Sequence, residues 1–243
     1  YTKRAVMTNN GLISTEGNMS TGIFATAGNI NNNGEIKIGD QGIGMYSETY
    51  VVPSDNPYNY LFANVNNNGK ITAGTGNKAI GIYANQNNLP GSGAYLYVTL
   101  GGGSDIDVSA SKGGIGVYGT GSSISSWGVS KITVGEDGTA MYAKGGNTSL
   151  TDIELNLKGN NSVGLYLDNT DFYGTGTANV DGTGIVVINK VGNSSYDQNF
   201  NVNSTAGSQY ILQNMSNSTM YYDGTSTLGE GGTFVTGVNS AVL

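Results

Sequence analysis

The sequence predicts an all-β chain that winds as a parallel β-helix, and two repeated boxes and their spacing support that prediction. The first box has five residues. Its second position is Gly or Ala, its third is aliphatic or Met, and its fourth is Tyr or Phe in every copy but the last. Self-similarity along a chain is typical of repeat architectures, whose units bury their apolar faces only against one another. The copies of this Tyr box lie at residues 21–25, 43–47, 80–84, 115–119, 139–143, 163–167 and 183–187.

The second box is a short run of alternating apolar and polar residues that precedes most Tyr boxes. Alternation with a period of two predicts a strand with one buried and one exposed face. Turns rich in Gly, Asn, Asp and Ser follow at 39–42, 74–77, 135–138 and 159–162, and these residue types accept positive φ or cap their own backbone. Each repeat is therefore predicted to be strand, turn, strand, turn. The alternating runs lie at residues 35–38, 70–73, 105–108, 131–134 and 152–157.

The spacing of the Tyr boxes predicts the length of the repeat and its register. Successive aromatic positions are 22, 37, 35, 24, 24 and 20 residues apart. The bare repeat thus has roughly 20–25 residues, and two repeats carry insertions at about residues 48–63 and 85–103. Stacking the alternating runs predicts inward aliphatic columns that end at Ile153 and Leu155, with about 4.8 Å between strands. It also predicts one outward column of alternating charge, formed by Glu35, Lys70, Asp105, Lys131 and Asp152.

In the Tyr box, the third position never turns polar and is predicted to face inward. Gly and Tyr would then face outward, with each ring over the glycine of its neighbour; the opposite phase, with Tyr inward, stays open. The first insertion contains Pro53 and Pro57 and is predicted to be a loop that stands off the sheets. The second contains an alternating run at 95–100 that predicts an additional strand. After residue 181 strand-like runs persist, but none can be assigned to a box.

Composition narrows the function classes. The chain has 243 residues, no Cys or His, 40 Gly, 11% charged residues and a formal net charge of −7. Gly and Asn disfavour helix interiors, and a nucleic-acid partner would need a basic stripe that is absent here. No run is long enough for a membrane span. Because the repeats reach both ends without polar caps, we expect residues 1–243 to be a single segment of a longer protein.

The sequence offers little for catalysis, a metal or a cofactor, and we expect none of them. Ser109 and Lys112 match the Ser-x-x-Lys pattern of acyl-enzymes, but they fall in a predicted turn rather than at the start of a helix. Glu136 and Asp137 are the only adjacent acidic pair and also lie in a turn. The run Gly101–Asp105 resembles a glycine-rich calcium coil, but it occurs once and with the wrong spacing.

Aromatic residues in the insertions are the candidates for binding, because loops on a rigid scaffold often carry function and Tyr combines contact area with a polar tip. Packing of these rings against the wall of the β-helix is the alternative. The predicted outward column of box tyrosines is assigned to stacking between repeats, with a sugar-binding track as the alternative. The candidate binding residues are Tyr50, Tyr58, Tyr60, Tyr95 and Tyr97.

The alternation of residues 33–39 with 42–46 resembles the passenger domain of the large autotransporter adhesins of fusobacteria, a likeness that covers about residues 9–187. The resemblance implies a right-handed parallel β-helix displayed outside a Gram-negative cell. It also implies that the rest of the chain includes an outer-membrane barrel, and that the partners are proteins or glycans of host cells or other bacteria. The absence of Cys fits such a passenger, which must stay extended during export.

The leading functional hypothesis is therefore a non-enzymatic stalk segment of a surface adhesin whose insertions contact a partner. The runner-up is a polysaccharide-cleaving β-helix enzyme, and a purely structural fibre or spacer is third. A groove lined by three or more close carboxylates would favour the enzyme. Trimeric intertwining would favour the fibre.

Overall fold

The structure is a computed structural model that describes residues 5–49, 61–86, 94–191, 195–204, 210–215, 219–222, 224–238 and 241–242. Strands and turns make up these residues, and none of the described residues is helical. The strands, in chain order, are β1 Val6–Asn9, β2 Leu12–Thr15, β3 Thr21–Thr26, β4 Asn29–Asn32, β5 Glu35–Ile38, β6 Ile43–Thr49, β7 Leu61–Asn67, β8 Lys70–Ala73, β9 Gly76–Asn77, β10 Ile80–Gln86, β11 Ala94–Leu100, β12 Asp105–Asp107, β13 Ser111–Lys112, β14 Ile115–Thr120, β15 Ser123–Ser126, β16 Ser130–Val134, β17 Thr139–Lys144, β18 Asn147–Leu157, β19 Ser162–Asp168, β20 Asp171–Val180, β21 Gly184–Val191, β22 Ser195–Ser204, β23 Tyr210–Met215, β24 Thr219–Tyr222, β25 Ser226–Thr227, β26 Val235–Val238 and β27 Ala241–Val242.

Most strands form three rows in which each strand pairs in parallel with its counterparts in the neighbouring repeats, and β9 and β13 pair in parallel as a separate two-stranded sheet. The first row is β1-β4-β7-β11-β15 and the second is β2-β5-β8-β12-β16; β18 pairs with the ends of both and joins them into one sheet. The third, which we call the Tyr row, is β3-β6-β10-β14-β17-β19-β21-β23-β26. The all-β prediction is confirmed, and the strands pair in parallel.

The repeat has one more strand than the sequence predicts. Apart from β11, the strands of the first row were not predicted, because strands such as β4 (Asn-Ile-Asn-Asn) and β15 (Ser-Ile-Ser-Ser) carry a single apolar residue each. One apolar residue in four gives no recognisable alternation. Those single residues, Ile30 and Ile124, are nevertheless buried in the common core.

The inward columns of the second row are confirmed as far as β16. Ile36 pairs with Ile71, Ile71 with Ile106, and Ile106 with Ile132, all of them buried. The predicted end of the column is wrong by two residues, because Leu155 rather than Ile153 lies beside Ile132. The run 152–157 alternates over six residues, so the pattern fits two registers equally well.

The outward charge column is confirmed for Glu35, Lys70, Asp105 and Lys131 and is wrong for Asp152. Glu154 lies beside Lys131 instead, so the signs still alternate. Asp152 sits at a β-bulge, where the register between β18 and β20 shifts between Leu150 and Ile153, and its φ is 54°. A bulge adds residues to one strand that have no partner on the next, so it shifts the register in a way that the alternating pattern does not reveal.

The third position of the Tyr box faces the core, as predicted, and the rings lie on the outer face, half-buried. The prediction that the box glycine faces outward is wrong. A Cβ atom on Gly81 would lie 2.5 Å from the carbonyl oxygen of Gly116 and 2.6 Å from Ile106 Cγ2, so this position points into the packed interior. The buried third-position residues are Ile23, Met45, Ile82, Val117, Met141 and Leu165.

The seventh Tyr box is also displaced. Ile188, rather than Val186, lies beside Tyr166, and Val187 lies beside Leu165. The box therefore spans residues 185–189 and no longer contains a glycine or an aromatic residue. The glycine of the sequence match, Gly184, lies at the start of β21.

The turns between the second row and the Tyr row use the left-handed backbone region that the Gly/Asn/Asp composition predicts. The N–H of Gln41 donates to the carbonyl of Asn77 at 2.9 Å, and that of Lys78 donates to Lys112 at 2.8 Å, so each turn is bonded to the next repeat. Non-glycine residues with φ between 52° and 58° at these turns are Met19, Gln41, Lys78, Asp137 and Asn161.

A buried amide ladder fills the corner between the first and second rows. Asn9 Nδ2 donates to Asn32 Oδ1 at 2.9 Å, Asn32 Nδ2 to Asn67 Oδ1 at 2.7 Å, and Asn67 Nδ2 to Ser104 Oγ at 2.7 Å. The ladder was not predicted, although its signal is present: Asn-Asn-Gly recurs at residues 9–11, 32–34 and 67–69.

The two insertions contribute strands to the first row. Residues 50–60 lie outside the described part of the chain, but the end of the first insertion begins β7, and Ala63 is fully buried rather than part of a loop. The predicted strand in the second insertion is confirmed as β11; it belongs to the first row between β7 and β15. Beyond residue 181, β22, β23, β24 and β26 pair with β20, β21, β22 and β23, so the parallel rows continue.

Candidate binding surface

Three aromatic rings lie together on the outer face of the first row. In β11, Ala94, Leu96 and Val98 point inward, so Tyr95 and Tyr97 point outward. In the adjacent strand β7, Phe62 lies directly beside Tyr95. The exposed fractions of Phe62, Tyr95 and Tyr97 are 39%, 41% and 37%. We call these three residues the aromatic patch.

The rings of the aromatic patch are nearly parallel to one another. The centroid of Phe62 is 5.2 Å from that of Tyr95 and 6.5 Å from that of Tyr97, and the interplanar angles are both 14°. Asn64, beside Tyr97, is held in place because its Nδ2 donates to Asn29 Oδ1 at 3.0 Å. The arrangement offers apolar ring surface, two phenol hydroxyls and a fixed amide, a combination of apolar area and hydrogen-bonding groups that is typical of contact surfaces.

The predicted site residues fall into two groups. Tyr95 and Tyr97 are exposed and adjacent, whereas Tyr50, Tyr58 and Tyr60 lie outside the described residues. Phe62 was not predicted, because the prolines before it assign its segment to a loop. The alternation of Leu61–Asn67, compared in register with Ala94–Leu100, is the signal that would have found it.

The box aromatics form a second, separate array on the Tyr row. Adjacent rings from Phe24 to Tyr166 are stacked with centroids 4.8–5.1 Å apart and interplanar angles of 5–28°. Each ring therefore lies against the neighbouring ring and not over a glycine, which confirms stacking between repeats. Since neighbouring rings cover one another's faces, little face area remains for a sugar. The stacked residues are Phe24, Tyr46, Tyr83, Tyr118, Tyr142 and Tyr166.

Packing in this array changes the acidity of the phenols. Burial, reinforced by a hydrogen bond from the Tyr46 hydroxyl to Glu48 Oε2 at 2.9 Å, raises the pKa of Tyr46 to about 12. Burial also raises the pKa values of Tyr83 and Tyr142. Because these shifts move the pKa values of the three phenols further above neutrality, Tyr46, Tyr83 and Tyr142 are protonated at neutral pH.

The candidate catalytic motif Ser109–Lys112 does not assemble. Ser109 Oγ donates to Asp107 Oδ1 at 2.6 Å, whereas Lys112 Nζ lies 2.8 Å from Glu136 Oε1 and 3.3 Å from Asp137 Oδ2. The Ser and the Lys thus have different partners. The acidic pair Glu136 and Asp137 is likewise occupied by a cation; hydrogen bonds from Asn161 and Lys112 lower the pKa of Asp137.

A groove of about 560 Å³ opens at the corner where β18, β20 and β22 pass from the first row to the second. Its wall carries two carboxylates, fewer than the three that we expect of a polysaccharide-cleaving site. Within the described residues, no three His, Cys, Asp or Glu side chains come together as a metal site would require. We call this the corner groove; its lining includes Val129, Asp152, Glu154, Thr177, Asn179 and Asn201.

The run that resembles a calcium coil has a different environment. A Cβ atom on Gly101 would collide with Oδ1 of Asn68 in the preceding repeat and would also lie 3.3 Å from Trp127 Cζ2. The absence of a side chain at Gly101 therefore leaves room chiefly for the Asn68 amide. A packing role accounts for this glycine.

Comparisons with known proteins return no relatives: no protein-family model, no curated protein and no solved structure matches this chain. In the part of the chain that the structure describes, no helix has the length and hydropathy needed to cross a membrane.

Proposed function

We propose that the chain is a right-handed parallel β-helix that forms a non-enzymatic stalk segment of a bacterial surface adhesin, with the aromatic patch as a contact surface. The winding is supported by the three parallel rows, in which Tyr83, for example, lies between Tyr46 and Tyr118, its counterparts in the two neighbouring repeats. The hand and the family rest on the sequence resemblance at residues 33–46.

The observation that carries the proposed function is the aromatic patch. Tyr95 and Tyr97 come from a strand packed on both sides by other strands, so the rings stand on a rigid wall. Rigid aromatic side chains lose little entropy when a partner binds, and Tyr is enriched among residues that dominate interfaces. The partner is a protein or glycan on the surface of a host cell or another bacterium. The location is the cell surface, with attachment through an outer-membrane barrel elsewhere in the precursor.

Cell binding by the purified chain tests this proposal. The labelled chain is incubated with intact epithelial cells and with a panel of oral and gut bacteria, and bound label is measured. We expect saturable binding to at least one cell type. In the double variant Tyr95→Ser/Tyr97→Ser the affinity should fall about 5- to 30-fold, because interface aromatic residues often contribute much of the binding free energy. Tyr173→Ser is the matched control, since Tyr173 is an exposed first-row tyrosine outside the patch.

The alternative functions give different outcomes in the same experiment. A spacer would show no saturable binding to any cell type. A polysaccharide-cleaving enzyme would release reducing ends or unsaturated products from acidic polysaccharides. The corner groove, with two carboxylates, gives an enzymatic function less support than the aromatic patch gives to binding.

A further inference from the structure

The corner groove lies where the regular pairing of the repeats is interrupted. The bulge after Leu150 places Asp152 in the left-handed region, and the next strand has Gly176 beside Ile153. A Cβ atom on Gly176 would collide with the carbonyl oxygen of Ile153, so only glycine lets the two strands approach here. Bulges of this kind re-aim side chains and occur next to functional sites. The interruption opens a concave surface beside an otherwise regular wall.

The wall of the groove presents hydrogen-bonding groups in register. Glu154, Thr177 and Asn201 are direct neighbours on β18, β20 and β22, and Asn179 lies two residues beyond Thr177. Their spacing is that of adjacent strands, about 4.8 Å. A carboxylate, a hydroxyl and amides thus follow one another along the rows, and together they can both donate and accept hydrogen bonds.

Several of these groups are held in place before any ligand arrives. Asn156 Nδ2 donates to Glu154 Oε1 at 2.7 Å, and Asn179 Nδ2 donates to Asn156 Oδ1 at 2.9 Å. The N–H of Asp152 donates to Thr175 Oγ1 at 3.2 Å. Side chains ordered in this way lose less entropy on binding than free ones. A glutamate or an asparagine in this network still has unused hydrogen-bonding capacity.

We propose that the corner groove binds a neutral oligosaccharide. Such a chain carries many hydroxyls, which can donate to Glu154 and Asp152 and both donate to and accept from the asparagines and Thr177. Val129, at 68% exposure, supplies an apolar surface at one end for the carbon face of a sugar ring. Two carboxylates, with no Lys or Arg among the described residues that line the groove, disfavour acidic sugars.

Calorimetric titration of the full 243-residue chain with neutral tetrasaccharides of glucose, galactose, mannose and N-acetylglucosamine tests the proposal. We expect at least one of them to bind with a measurable heat. Glu154→Gln removes the charge but keeps the shape, and we expect it to raise Kd about tenfold. Thr177→Val removes one hydroxyl from a β-branched side chain and should raise Kd a few-fold.

Two control variants show whether the sugar binds in the corner groove or elsewhere on the chain. Glu35→Gln changes the residue in the same outward column at a distant repeat and should leave Kd unchanged. Tyr95→Ser/Tyr97→Ser should also leave it unchanged, because the aromatic patch is a separate surface. The proposal is overturned if no tetrasaccharide binds at concentrations up to about 10 mM, or if both groove variants bind the sugar with the unchanged Kd of the original chain. Sugar binding that only the patch variant abolishes would overturn it too, while leaving the proposed adhesin function standing.

Discussion

The early and late repeats fill the corner between the first and second rows with different kinds of side chain. Between the first and second rows, the repeats up to β12 bury hydrogen-bonded polar side chains, Asn32 and Asn67 among them. In the later repeats β18, β20 and β22 each continue through the corner as one strand, with a bulge between Leu150 and Ile153 in β18, and Ile153 and Phe200 are buried there. The same corner of the repeat is thus stabilised by side-chain amide hydrogen bonds in the early repeats and by apolar packing in the late repeats. The two regions should respond differently to the loss of a side chain.

The Tyr row shows a second difference between the regions. Where the second row of the next repeat holds an Ile, the facing box residue is Gly: a Cβ on Gly44 would lie 2.8 Å from Ile71 Cγ2. The box at 139–143 has Ala140 in place of the glycine. In the next repeat, the position occupied elsewhere by an Ile is Leu155. Leu branches at Cγ rather than at Cβ, so it has no Cγ2 methyl group. The methyl side chain of Ala140 therefore fits beside it. The glycines of the first four boxes, Gly22, Gly44, Gly81 and Gly116, are therefore matched to the Ile that each one faces.

The largest effect is expected where apolar packing fills the corner. Phe200→Ala should lower the free energy of unfolding by about 3–5 kcal/mol, because Phe200 is almost completely buried and its removal leaves a cavity. Urea unfolding followed by circular dichroism measures this. Phe62→Ala, at an exposed ring, is the control and should cost less than about 1 kcal/mol. Equal losses in the two variants would contradict an apolar corner.

Next comes the amide ladder of the early repeats. Asn67→Ala should cost about 2–4 kcal/mol in a buried site, because it leaves Ser104 Oγ without its donor. It also removes the shorter of the two hydrogen bonds that Asn32 Nδ2 donates, leaving the 3.3 Å bond to the Lys70 carbonyl. The adjacent Asn68→Ala should change stability by no more than about 0.5 kcal/mol, since Asn68 bonds to Asn33 on the exposed face. If both variants unfold at the same urea concentration, the buried ladder does not stabilise the corner.

The match between glycine and Ile gives the third prediction. Gly81→Ala should cost about 1–3 kcal/mol through overpacking against Ile106 and the Gly116 carbonyl. Adding Ile106→Leu should recover part of that loss, a coupling that a double-mutant cycle measures. Ala140→Gly should cost only about 0.5–1 kcal/mol, from backbone entropy. If the changes in unfolding free energy caused by Gly81→Ala and Ile106→Leu simply add in the double variant, the glycine is not matched to the Ile.

The smallest effect concerns pH. The pKa of Tyr46 is about 12 in the folded chain against a usual 10.0, so the folded state holds this proton more tightly than the unfolded state does. Its contribution to stability is complete below about pH 10 and is lost as the pH rises towards 12. Unfolding followed across this window should show a decline that is shallower in Tyr46→Phe. An unchanged slope in that variant would mean that the Tyr46 phenol ionises equally easily in both states.

These differences also explain how far the sequence predicts the molecule. The Tyr boxes and the second row were predictable because Ile, Val and Tyr recur there with a strong period. The first row, apart from β11, was not, since a strand such as Asn29–Asn32 or Ser123–Ser126 carries one apolar residue. The predicted register was wrong at Asp152, because a β-bulge cannot be recognised from alternating apolar and polar residues alone.

The candidate sites follow the same logic. Tyr95 and Tyr97 were predicted, because alternation within one strand places both on the outer face. Phe62 was missed, since its position beside Tyr95 depends on how two distant strands pair. The corner groove depends on the bulge and on three neighbouring strands, and no local pattern encodes that combination.

The central claim is that each residue lies beside its counterpart one repeat away, in the register that the bulge sets. The chain has no Cys, so paired cysteines report adjacency without background. Lys131→Cys/Glu154→Cys should form an intramolecular disulfide readily on mild oxidation, because neighbouring strands bring the two Cα atoms within bonding range. Lys131→Cys/Asp152→Cys should form it slowly or not at all. Faster bridging of the Asp152 pair, or no bridging of either pair, would contradict the account.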